Sequence, residues 1–107
     1  MTKKPQTPDA QGNIGVGNMG QNNIGNYNVG CGNKGNYNRG SNNVGNYNEG
    51  NDNIGNENDG NRNSGDCNTG NDNVGNDNRG NDNIGDCNVG NANIGDNNEG
   101  HEIVENG

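Results

Sequence analysis

One fixed interval constrains this chain more than anything else in it. From Asn13 every fifth residue is Asn as far as Asn98, and from Gly15 every fifth residue is Gly as far as Gly100, 18 positions each without an exception. The unit is Asn-x-Gly-x-x. An unstructured low-complexity segment has no reason to hold its spacing, whereas a fixed short period puts each unit into the same environment of a stacked structure. Five is no multiple of the helical 3.6, and Gly and Asn are poor helix formers, so helices are excluded. Five residues do suit one short wall of a coil. Two of them, spaced by two, point inward as in a strand, and three face out or turn the corner.

A second period, of ten, lies over the first. Between Asn and Gly, alternate units carry Ile14, Ile24, Lys34, Val44, Ile54, Ser64, Val74, Ile84 and Ile94, seven of the nine being β-branched aliphatics. The intervening units carry Met19, Val29, Arg39, Glu49, Asp59, Thr69, Arg79, Val89 and Glu99, which are mostly polar. The register follows from charge. Were the middle residue to point inward, Lys34, Arg39, Glu49, Asp59, Arg79 and Glu99 would be buried at several kcal/mol each, so Asn and Gly form the lining. Stacked amides about 4.8 Å apart can bond to one another in a ladder, and Gly lets backbones approach closely. The residue after Gly is Asn or Asp in 13 of 18 units, Asn26, Asn36, Asp66 and Asp86 among them, which predicts a corner there.

These observations predict an all-β solenoid. With four units to a coil of about 20 residues, 18 units make 4.5 coils and a rod roughly 22 Å tall. The inner ladder would then include Asn23, Asn43, Asn63 and Asn83 with Gly25, Gly45, Gly65 and Gly85. Ile14, Ile54, Val74 and Ile94 would line one face, with Lys34, and Ile24, Val44 and Ile84 the opposite face, with Ser64. Those seven aliphatics form the candidate binding face. The alternative is a flattened β-solenoid with a ten-residue coil that hides one stripe. Residues 1–12, which hold both prolines, are expected to be a flexible tail. Residues 13–102 form the solenoid, and 103–107 a short cap or frayed end in which Ile103 and Val104 would cover the open coil.

The unit resembles the second class of pentapeptide repeat, x-Asn-x-Gly-x, best known from mycobacterial PPE proteins of the major-polymorphic-tandem-repeat type. The resemblance covers Asn13 to about Glu102 and implies a right-handed quadrilateral β-helix with no assigned biochemical activity. Tyr, Cys, Asp and Glu replace much of the apolar content of those proteins. The better-studied class with Ala-Asp/Asn-Leu-x-x units has a large apolar residue where this chain has Gly, so its gyrase-binding members are distant structural analogues.

Only 21% of the residues are hydrophobic, and Tyr27, Tyr37 and Tyr47 are the only aromatics, which excludes an ordinary apolar core. No stretch approaches the 18 or so apolar residues of a membrane span, and no signal peptide is legible, so a cytoplasmic location is the default expectation. Charge is lopsided. Residues 1–48 carry four basic side chains against Asp9, or +3, and residues 49–107 carry Arg62 and Arg79 against 13 acids, or −11. The acidic half argues against direct nucleic-acid binding, which needs Lys and Arg.

No set of residues converges on chemistry. His101 has no nucleophile at a motif spacing. Asp72, Asp77 and Asp82 are placed on successive faces rather than in a cleft. The Gly/Asp run from Gly70 to Asp77 has the wrong period for a calcium-binding nonapeptide, so no metal or cofactor is expected. Cys31, Cys67 and Cys87 lack zinc spacing. In a 20-residue coil Cys67 and Cys87 would be stacked neighbours within disulfide range, with free thiols as the default, and Tyr27 would stack on Tyr47. The chain is therefore read as a non-catalytic structural or protein-interaction module, monomeric or dimeric end to end, whose partner is an unknown protein or itself. The alternatives are an ice- or carbohydrate-binding face, and an acidic mimic of DNA that binds a nucleic-acid enzyme. Thr69, the only Thr within the repeats, weighs against ice.

Overall fold

The computed structural model describes residues 8–104. Each Asn-x-Gly-x-x unit makes one three-residue strand centred on its Gly, from β1 (Ile14–Val16), β2 (Met19–Gln21) and β3 (Ile24–Asn26) to β17 (Ile94–Asp96) and β18 (Glu99–His101), 18 strands among the described residues. Pairing is parallel and runs from each strand to the next but one, so Ile14 lies beside Ile24 and Gly15 beside Gly25. The odd strands form one nine-stranded sheet and the even strands another. One turn is thus ten residues and the rod has about nine turns, in a body measuring 55 × 25 × 13 Å.

This corrects the expected 20-residue coil in favour of the flattened arrangement. The physical reason is the lining. Asn and Gly are small enough for two walls to face each other directly, and each inward amide spans the gap. Asn48 shows the pattern. Its backbone N–H and Nδ2 donate to Asn38 Oδ1 one turn back, at 3.0 and 3.1 Å. The same Nδ2 donates across the interior to the carbonyl of Gly55 at 2.8 Å. Its own Oδ1 accepts from the backbone N–H and Nδ2 of Asn58, at 3.0 and 3.1 Å. The core of this protein is polar: no hydrophobic residue is buried among the described ones, while Asn13 and every repeat Asn from Asn23 to Asn98 are. A buried amide with its partners in place carries no desolvation deficit, and this lining is nearly saturated.

The inward Gly is obligatory. At Gly45, φ is 128°, and a Cβ there would overlap the carbonyl oxygen of Gly55 on the next rung. The corner lies one residue later than the sequence predicts. The residue directly after Gly is the last of the strand; the left-handed residue follows it, with φ near 60° at Tyr27, Tyr37, Tyr47, Glu57, Arg62, Cys67 and Ala92 alike. Asn and Asp after Gly have a different task. The Oδ1 of Asn36 accepts the backbone N–H of Asn26, and Asp66 Oδ1 accepts that of Asn56, so these side chains form a second, outer ladder.

The two ends differ. At the start, Asp9 Oδ1 accepts the backbone N–H groups of Gln11 and Asn13, both at 2.9 Å, in the place a previous rung would take. The rest of the expected tail, residues 1–7, lies outside the described residues. At the far end, Ile103 is half-buried and donates its N–H to Asn93 Oδ1, and Val104 bridges to Ile94. Residues 105–107 lie outside the described ones.

Candidate functional surface

A ten-residue turn sorts every outward position into a straight column with one residue per rung. On the first sheet, Ile14, Ile24, Lys34, Val44, Ile54, Ser64, Val74, Ile84 and Ile94 stand in one file. The seven aliphatics expected on two opposite faces therefore share one, and the ten-residue coil does not hide them: Ile24, Val44, Ile54, Val74, Ile84 and Ile94 are 43–56% exposed. Beside them runs the outer amide ladder, Val16 and Asn26 to Asn56, then Asp66, Asn76, Asp86 and Asp96. The second sheet carries Met19, Val29, Arg39, Glu49, Asp59, Thr69, Arg79, Val89 and Glu99.

Of the inner residues singled out in sequence, Asn23, Asn43, Asn63 and Asn83 are fully buried, and they share their column with Asn33, Asn53, Asn73 and Asn93, which a 20-residue coil would have placed on another wall. Gly25, Gly45, Gly65 and Gly85 sit mid-strand, each against the Gly one turn on.

The corner columns hold the remaining chemistry. Tyr27, Tyr37 and Tyr47 stack in sequence with ring centroids 5.2 and 5.0 Å apart, so Tyr37 separates the two rings that the longer coil would have put in contact. A shallow groove of about 470 Å³ lies between these rings and Asn26, Asn36, Asn46 and Asn56, closed at one end by Glu57. Asp77 likewise separates Cys67 from Cys87, so these two stand two turns apart, and all three cysteines are free and exposed. Cys67 Sγ donates to Glu57 Oε1 at 3.4 Å, and that bond, with burial and the nearby carboxylates, pushes the thiol above its usual range. A thiol so held is a poorer nucleophile at neutral pH.

Asp72 and Asp82 are stacked neighbours on one corner and Asp77 stands on the other, which corrects their assignment to successive faces. Arg62 grips Asp72 through Nε and Nη2, at 2.7 and 3.1 Å. The guanidinium holds the Asp72 carboxyl below the usual carboxylate range, and the carboxylate raises the Arg62 pKa in turn. Arg62 is exposed and Asp72 only half-buried, so the pair contributes little to stability. His101 Nδ1 lies 3.2 Å from Asn91 Nδ2, continuing the outer ladder on the second sheet. Among the described residues no group of three or more His, Cys, Asp or Glu side chains could hold a metal ion, and no helix is long and apolar enough to cross a membrane. The outer ladders are what sequence reasoning missed. The Asn and Asp enrichment after Gly was the available signal, read as corner chemistry instead.

A family model described as pentapeptide repeats matches residues 12–51 in eight copies. No curated protein and no solved structure matches the chain. The matched unit, its strand and its inward Asn continue in unbroken register from residue 51 to residue 101, and in that repeat the chain is similar to pentapeptide-repeat proteins.

Proposed function

We propose that this protein is a non-catalytic structural module, a stiff ruled rod whose outer columns engage protein. One observation carries the reading: the interior amides spend their hydrogen-bonding capacity on the neighbouring rungs, so recognition is left to the outside. Outside, side chains are drawn up in files about 4.8 Å apart rather than brought together around a point. Such an arrangement suits repeated shallow contacts along a line and suits poorly the convergence of acid, base and nucleophile that catalysis needs. Pentapeptide-repeat solenoids are in general structural modules, which points the same way. We take the winding to be right-handed, as nearly all parallel strand–crossover–strand connections are.

The rod can be tested with a cysteine-free variant carrying spin labels at Met19→Cys and Glu99→Cys. These positions share the second sheet eight rungs apart, or about 38 Å at the usual strand spacing. In protein diluted with unlabelled chains, one narrow distance distribution near that value is expected. A broad distribution, or a random-coil far-ultraviolet spectrum, overturns the reading.

A further inference from the structure

We infer that the first sheet is a homodimer interface: two copies pack side by side and antiparallel, with the two-fold axis at the level of Ile54. This rests on the reading of the chain as an interaction module and names its partner as a second copy. The first-sheet file is close to self-complementary when reversed about its centre. Ile54 meets Ile54, Ile24 meets Ile84 and Ile14 meets Ile94. Lys34 meets Val74, where its aliphatic stem packs and its ammonium reaches past the edge.

Charge selects the direction, and the neighbouring outer ladder accepts it. Its carboxylates all lie in the second half of the rod and its amides dominate the first. Antiparallel pairing sets Asp66 against Asn46 and Asp86 against Asn26, two of its three carboxylates against amides, and the third, Asp96, against Val16 at the end of the rod. Parallel pairing, with the file again on itself, sets Lys34 against Lys34, and like charges so placed are repulsive. Over the described residues, antiparallel packing also lays the half with Lys34 and Arg39 against Asp9, or +1, along the half with Arg62 and Arg79 against 12 acids, or −10, whereas parallel packing lays the two acidic halves together. The second sheet does not pass the same test, because reversal about its centre sets Asp59 against Asp59 and Arg39 against Arg79.

Area sets the strength. Nine rungs about 4.8 Å apart and a half-turn about 15 Å wide give roughly 600 Å² per partner, the lower end of what stable complexes bury. The aliphatic file and the outer ladder flank the midline of that patch, and the apolar runs within the file, Val44 with Ile54 and Val74 with Ile84 and Ile94, are the kind of exposed surface that marks an interaction site. The dimer is therefore expected to dissociate on dilution into the micromolar range.

The experiment uses the full chain with Cys31, Cys67 and Cys87 replaced by Ser. Sedimentation equilibrium from micromolar to millimolar protein is expected to show monomer passing to dimer, with Ile54→Asp raising the dissociation constant at least about tenfold and Thr69→Asp leaving it unchanged. Under mild oxidation Ile54→Cys is expected to cross-link to itself, while Ile24→Cys cross-links to Ile84→Cys and not to itself. A concentration-independent monomer with an intact β spectrum and a narrow spin-label distance overturns the dimer and leaves the rod standing. Self-linking of Ile24→Cys, or loss of association in Thr69→Asp alone, also overturns it.

Discussion

At the scale of single residues, stability here depends on amides and on the absence of a side chain. Asn53 Oδ1 accepts the backbone N–H of Asn63 at 3.0 Å, and its Nδ2 donates to the carbonyl of Gly60 at 2.8 Å. Asn53→Leu removes both and orphans two backbone groups, each worth about 1–3 kcal/mol when buried unpaired. Asn98 occupies the same kind of site at the end of its column, where its Oδ1 is the only buried side-chain polar atom among the described residues without a partner. Asn98→Leu therefore orphans little. Urea denaturation is expected to show Asn53→Leu losing about 2–6 kcal/mol and Asn98→Leu about 1 kcal/mol or less. Equal losses would contradict the ladder. Gly55→Ala is expected to be worse than either, because φ is 124° and the methyl would overlap the Gly65 carbonyl; its circular dichroism should report loss of the β spectrum.

At the scale of the element, a strand of three residues cannot stand alone and exists only because the rungs above and below pair with it. The left-handed corner is the part of the unit most at odds with its own sequence. Ala92 holds φ at 59° without the local hydrogen bonds that ease Asn or Asp into that region. Gly occupies the equivalent corner at Gly12, Gly17 and Gly32. Ala92→Gly is thus expected to raise stability by about 1 kcal/mol or somewhat less, once the greater backbone entropy of unfolded Gly is subtracted; a lower melting temperature would refute this. Strand, register and inward Asn were all legible, because charge at the middle position leaves no other choice. Coil size was not. Coils of ten and of twenty residues repeat the same residues on the same kind of wall, and only the gap that one Asn can span, seen in the bond from Asn48 to Gly55, decides between them. The corner was displaced by one residue because Asn36 and Asp66 suit a left-handed turn and an outer ladder equally well.

At the scale of the whole molecule, each strand pairs only with strands one turn away, so the rod behaves as a one-dimensional stack that opens from its ends. The start of that stack is held by a single titrating group. Backbone N–H donation from Asn13 is the largest influence on the Asp9 carboxyl; with the Asn13 side chain and the Gln11 and Gly12 amides it outweighs the opposing desolvation and lowers the pKa. A carboxylate with a depressed folded pKa stabilises the fold above its unfolded pKa, and that contribution is lost as pH falls through the folded value. Asp9 is exposed, so the effect is local fraying rather than global unfolding. Amide hydrogen exchange read residue by residue is expected to speed up at Asn13 and Asn23 on acidification below the ordinary carboxylate range, after correction for intrinsic rates, while Asn53 stays protected. Asp9→Asn can still accept both N–H groups and should abolish the pH dependence, whereas Asp9→Ala should fray the first turn at every pH. If acid loosened the rod uniformly, or Asp9→Ala left Asn13 protected, Asp9 would not be the cap, and the first rung would be held by its pairing to the second alone.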